Sequence, residues 1–175
     1  IAGRCDDAAA MNYAQTTLLV AHGEKDWTLR RLPETDALDG IVNVSIDAPS
    51  SDRAHLVVYE PFVARHERQA YLARFDGDSW REVAVPIDDG LMDVAEAEDG
   101  LWLAGGRDLY FRHDDGNVER VRLPPLRHAD SAPDSLHIHS VHQHGGHLWV
   151  EASYRVVRGD RSEQASALFS TLAPP

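Results

Sequence analysis

The sequence predicts an all-β chain, an array of four-stranded antiparallel units. Three observations carry this reading. Apolar and polar residues alternate in short runs bounded by Gly, Asp and Pro, and a hairpin pattern returns at intervals of close to fifty residues. No long stretch keeps a 3.6-residue apolar period; RCDDAAAMNYAQ, residues 4–15, is the only plausible helix.

The hairpins can be taken in order. Residues 15–33 (QTTLLVAHGEKDWTLRRLP), 68–86 (RQAYLARFDGDSWREVAVP) and 106–124 (GRDLYFRHDDGNVERVRLP) align without a gap. Each is an apolar strand, a turn rich in Asp and Gly, an alternating strand, and a closing Leu-Pro or Val-Pro, which is the pattern of a hairpin. A second hairpin type lies between them, at 41–58, 91–104 and 138–151, starting at Ile41, Leu91 and Ile138. The tryptophans keep this register: Trp27 and Trp80 open the second strand of the first type, and Trp102 and Trp149 sit early in the second strand of the other. The expected organisation is an N-terminal extension (1–14) and one domain (15–175). Within the domain come a half-unit (15–33), two full units (41–86 and 91–124) and a last unit (138–172) ending in ASALFSTL.

Four short antiparallel strands in roughly 40 to 50 residues make up the size of a propeller blade. The fold class expected is therefore a β-propeller-like array of four-stranded antiparallel blades, about three in this chain; a β-sandwich is the alternative arrangement of the same hairpins. The stretch AEDGLWLAGGRDLYFRHDDGNVERVRLP (97–124) resembles the blades of bacterial two-component-regulator and sialidase-like propellers, with its Asp-Gly and Leu-Trp pairs, a small-residue run, and a Leu-Tyr pair ahead of an acidic turn. The resemblance spans about 15–172 and implies architecture rather than activity. FDGDSW (75–80) lacks the Asp-x-Gly-x-Thr spacing of the sialidase Asp-box, so sialidase chemistry is not carried over. A ring needs at least about four blades. Three leave it open, exposing strand edges and apolar faces. The chain is expected to be completed by the rest of a larger propeller, by another polypeptide, or by a copy whose leading hairpin supplies the half of the last unit that is missing.

Composition narrows the function. A net charge of −12 argues against nucleic acid, whose binding rests on clustered Lys and Arg. No run approaches the ~18 apolar residues of a membrane span. Sixteen arginines against the single lysine, Lys25, read as the coding bias of a GC-rich bacterium. The lone Cys5 has no partner for an internal disulfide or a CxxC motif. A start at Ile1 instead of Met points to something removed upstream, a secretory signal or a whole preceding segment, and the location expected is extracytoplasmic: periplasmic, secreted or cell surface.

Two candidate sites stand out. HIHSVHQHGGH (137–147) holds five of the ten histidines. Its Gly-Gly turn sets His144 opposite His147, and strand alternation adds His142 to their face, so these three are the candidate zinc or copper ligands, with His137 and His139 expected on the opposite face. The long connections 59–69, 124–136 and 153–164 are expected to share one rim. They carry Arg65, Arg68, Arg127, Arg155, Arg158 and Arg161, suited to a carboxylate, phosphate or acidic-peptide partner. No GxSxG, HExxH, GxGxxG or phosphate loop occurs, and the carboxylates Asp114 and Asp115 sit where turn chemistry explains them. The function expected is a non-catalytic binding module without a cofactor, taking a protein or glycan partner on the long-loop rim. The alternative is a metal-binding protein using the histidine hairpin.

Overall fold

The computed structural model describes residues 17–22, 26–31, 43–50, 52–59, 70–87, 90–124, 133–158 and 160–172. All of the regular structure among them is antiparallel β, with no helix. The helix candidate at 4–15 and the extension 1–14 lie outside the described residues. No described helix is long and apolar enough to cross a membrane.

Among the described residues thirteen strands form four meandering sheets. Strands β1 (Thr17–His22) and β2 (Asp26–Arg31) pair alone. The second sheet runs β3 (Asn43–Ser50), β4 (Arg53–Tyr59), β5 (Ala70–Phe75) and β6 (Trp80–Glu82). The third runs β7 (Asp93–Ala97), β8 (Gly100–Gly105), β9 (Asp108–His113) and β10 (Val118–Val121). The fourth has three strands, β11 (Pro133–His144), β12 (His147–Arg158) and β13 (Arg161–Leu172). Among the described residues the sheets thus hold two, four, four and three strands in chain order.

The turns follow their residues. Gly145 and Gly146 have φ of 59° and 76°, the pair of positive values a type I′ turn demands, and His144 pairs with His147 across them. In the β5–β6 turn Asp76 Oδ1 accepts from the amides of Asp78 (3.2 Å) and Ser79 (2.9 Å), and Gly77 takes φ of 94°. In the β9–β10 turn Asp115 Oδ1 accepts from the Asn117 amide at 2.8 Å, which is the turn role expected of it.

Sheet faces pack through two apolar layers. Between the second and third sheets lie Val57, Leu72, Leu91, Val94, Leu101 and Leu103. Between the third and fourth lie Trp102, Phe111, Ile138, Val141, Leu148 and Val150 among others, with the Trp102 and Phe111 rings 4.7 Å apart. The third sheet is therefore apolar on both faces, as β8 (GLWLAG) requires, being buried at every residue. A further buried cluster, Leu56, Val58, Tyr71 and Ala73, lies on the other face of the second sheet.

Sheets meet mainly through their first strands, β3 and β4 against β7, and β11 against β7, β8 and β9. First strands are sheet edges, so one row of their backbone groups has no ladder partner. Acidic side chains one repeat away fill the gap. Asp47 Oδ2 accepts from the Glu96 amide at 2.6 Å, and Asp93 Oδ2 from the Val141 amide at 2.8 Å. Asp93 Oδ1 accepts from the Val94 amide (2.9 Å) and from the Ser45 hydroxyl. The buried Asp93 carboxylate thus ties β3, β7 and β11 together, and the Ile138 amide adds a backbone bond to the Gly106 carbonyl at 2.7 Å.

Two expectations about the last unit need correction. The stretch 153–164, read as a long loop, continues β12 and β13, which pair without interruption from His147↔Leu172 to Arg158↔Arg161. It looked like a loop because it is rich in charged residues, Arg155 and Arg158 on the central strand β12 and Arg161 and Glu163 on the edge strand β13. The third place in that sheet is therefore filled by β13, and a leading hairpin from another copy has no missing pair of strands to supply.

Candidate functional site

Arg53 and His55 on β4, Arg74 on β5, Glu96 on β7, and Arg112 on β9 with Asp114 beyond it line a cleft of about 340 Å³ between the second and third sheets. It lies at the tight-turn end, where β4 begins, β5 ends, β7 turns into β8 at Glu98, and β9 turns into β10. Arg74 stands directly opposite His55 in the β4–β5 ladder. Glu96 is the central anion: its Oε1 is 2.7 Å from Arg53 Nε and its Oε2 is 3.2 Å from His55 Nδ1.

His55 is only 4% exposed. Burial, reinforced by the guanidinium groups of Arg74, Arg53 and Arg112, pulls its imidazole down to about 4, so it is neutral at neutral pH. Burial likewise pushes the Glu96 carboxyl up, outweighing the pull of Arg53, and Asp47 adds to the rise. Burial raises the Asp93 carboxyl too, against the donors Ser45, Val141 and Val94 that favour its charge.

Of the cleft residues the sequence draws attention to Asp114 alone, as a turn carboxylate, although the repeat holds a clue. Aligned without a gap, Arg74 and Arg112 fall in one column and should point the same way in successive sheets. The structure shifts that alignment by one. Four residues (76–79) separate the pair Phe75↔Trp80, but five (113–117) separate Arg112↔Val118. A slip of one residue reverses the face. Leu72 is matched by Phe111, and the two arginines face each other from opposite walls of the cleft.

The histidine hairpin folds as expected at its tip but not along its length. His144 pairs with His147 and His142 with Trp149, all on the face turned away from the core. His137 and His139, expected on the opposite face, share this one. The register shifts between Ile138 and Ser140, inserting one extra residue, so that both Ile138 and Val141 point inward. His139 Nε2 then reaches Ser153 Oγ at 2.7 Å. Among the described residues no three His, Cys, Asp or Glu side chains are grouped to hold a metal ion, so His142, His144 and His147 share a face without forming a cluster.

Of the six rim arginines, Arg65, Arg68 and Arg127 lie outside the described residues. Arg158 and Arg161 flank the β12–β13 turn, and Arg155 is exposed on β12, opposite Gln164. These three occupy a strand hairpin rather than a loop.

No family model, curated protein or solved structure matches the chain.

The fourth sheet supplies the remaining surface of interest. Equivalent β-pairs in the three larger sheets are Ser45↔Val57, Ala95↔Trp102 and His142↔Trp149. Val57 is 0% exposed and Trp102 4%, each covered by the next sheet, whereas Trp149 is 39% exposed. Leu168, on the same face, is 65% exposed. Among the described residues no strand packs on this face.

Proposed function

We propose that the chain is a non-catalytic binding module whose sheets stand as blades of a propeller-like ring, with a second copy closing the ring against the β11–β13 face. The reading rests on Trp149: it occupies the position that the next sheet buries in the two preceding units, and here it meets solvent. An exposed Trp and Leu beside a row of imidazoles is a surface suited to a partner sheet, since aromatic anchors carry much of the energy of protein interfaces. Contact between sheets through their first strands is the packing that radial blades require. A protein or glycan partner is then taken at the end that carries the β12–β13 turn, where Arg158 and Arg161 are paired in the ladder.

Gel filtration of Leu168→Arg beside the wild type tests the reading, with circular dichroism to check that the strand content is kept. Later elution of the folded variant is expected. Co-elution of the two would remove the β11–β13 face from the account. The metal-binding alternative, through His142, His144 and His147, is supported by their shared face alone; calorimetry with zinc or copper separates it from the first reading.

A further inference from the structure

We infer that the cleft between the second and third sheets is a binding site for a small oxyanion, a phosphate or carboxylate group held between Arg74 and Arg112 beside His55. Three guanidinium groups, Arg53, Arg74 and Arg112, line a space of about 340 Å³ together with three carboxylates, Glu96, Glu98 and Asp114. Glu96 pairs with Arg53 through Oε1, and its Oε2 is buried without a hydrogen-bond partner. The acids at the rim are exposed: Asp114 follows β9, and Glu98 lies in the β7–β8 turn. A neighbouring hollow shares Arg53 and Arg74 and is lined by Asp52 and Asp76, but these acids are engaged elsewhere. Asp52 accepts from Ser50 Oγ at 2.6 Å, and Asp76 pairs with Arg81 at 3.0 Å while capping its own turn.

Donors in the cleft are left over. Arg74 has no ion pair or hydrogen bond among the described residues and acts on His55 and Glu96 only through space. Arg112 Nε is buried without a hydrogen-bond partner; this side chain donates only a 3.4 Å bond to the His113 carbonyl through Nη1. His55 Nδ1 is also buried and unbonded, since its 3.2 Å approach to Glu96 Oε2 is misaligned for a hydrogen bond. Buried N–H groups in a native site are nearly always satisfied. Planar forked donors on two facing walls match the flat edge of a carboxylate or the oxygens of a phosphoryl group. A neutral imidazole can donate one N–H without adding charge that would have to be desolvated.

This inference concerns the opposite end of the sheets from the β12–β13 turn and does not depend on ring closure. Calorimetry on the full chain tests it, using inorganic phosphate and, separately, succinate, with wild type, Arg74→Gln, Arg112→Gln and the outlying exposed control Arg122→Gln. Binding of at least one probe is expected, weakened about tenfold or more in both cleft variants and unchanged in the control. The probe that binds more tightly identifies the source of the oxyanion as phosphorylated or carboxylated. Arg74 is exposed on its strand, so Arg74→Gln keeps the test decisive if Arg112→Gln does not fold. No heat with either probe up to about 10 mM, or equal affinity in wild type and Arg74→Gln, would overturn the inference.

Discussion

Asp93 shows what a single side chain contributes here. Its carboxylate accepts from Ser45, Val94 and Val141, which belong to three different sheets. Asp93→Ala would leave two amides and a hydroxyl without an acceptor in a buried place. A loss of roughly 3–5 kcal/mol in urea unfolding is expected; a loss under about 1 kcal/mol would mean that the three contacts are not made together. His55 links the cleft to pH. Its folded value, about 4, is below the unfolded 6.5, so the unfolded chain binds the extra proton and stability falls as pH drops through that window. Asp93 and Glu96 are shifted upward and act in the opposite sense, so the His55 contribution is isolated by difference. The stability advantage of wild type over His55→Gln is expected to shrink by about 2 kcal/mol between pH 7 and pH 5. A pH-independent difference would place His55 outside the buried cationic environment described.

At the scale of elements, two glycines with different reasons for being glycine make a direct comparison. A Cβ at Gly145 meets nothing within 4 Å, so Gly145→Ala meets only the cost of positive φ, about 1 kcal/mol. A Cβ at Gly100 would stand 2.1 Å from the Arg112 carbonyl oxygen, in backbone that cannot step aside without opening the β8–β9 ladder. Gly100→Ala is expected to lower stability by about 3 kcal/mol, read by thermal or urea unfolding, and equal costs at the two sites would contradict the close β8–β9 approach. Elements of this kind were legible in the sequence where local chemistry decides them. Asp-Gly and Gly-Gly turns, alternation, and the repeated tryptophans locate the hairpins because each depends on neighbours along the chain. The bulge at His139 and the extra residue in the β9–β10 turn were not legible. A single inserted residue changes no composition, yet it turns every later side chain to the other face. Hence the outward histidines and the facing arginines escaped the repeat alignment. The length of β13 escaped it too, because an edge strand with one shallow face needs few apolar residues. The Asp47–Glu96 and Asp93–Val141 bonds were within reach, since they join residues 49 and 48 apart, close to the repeat itself.

At the scale of the whole molecule, Trp102 and Trp149 make the deciding comparison. They hold equivalent places in successive sheets, and among the described residues only the first has a sheet over it. Trp102→Ser should remove about 3–5 kcal/mol of stability, as expected for truncating a core aromatic, while Trp149→Ser should remove less than about 1 kcal/mol from the isolated chain and act on association instead. The measurement that bears most directly on this is sedimentation equilibrium of the wild-type chain beside Trp149→Arg at about 50 µM, a concentration at which a standard-size interface is occupied. A wild-type mass that is a multiple of 19.4 kDa, returning to 19.4 kDa in the variant, is the result expected. A wild-type chain that remains at 19.4 kDa would contradict closure by a second copy.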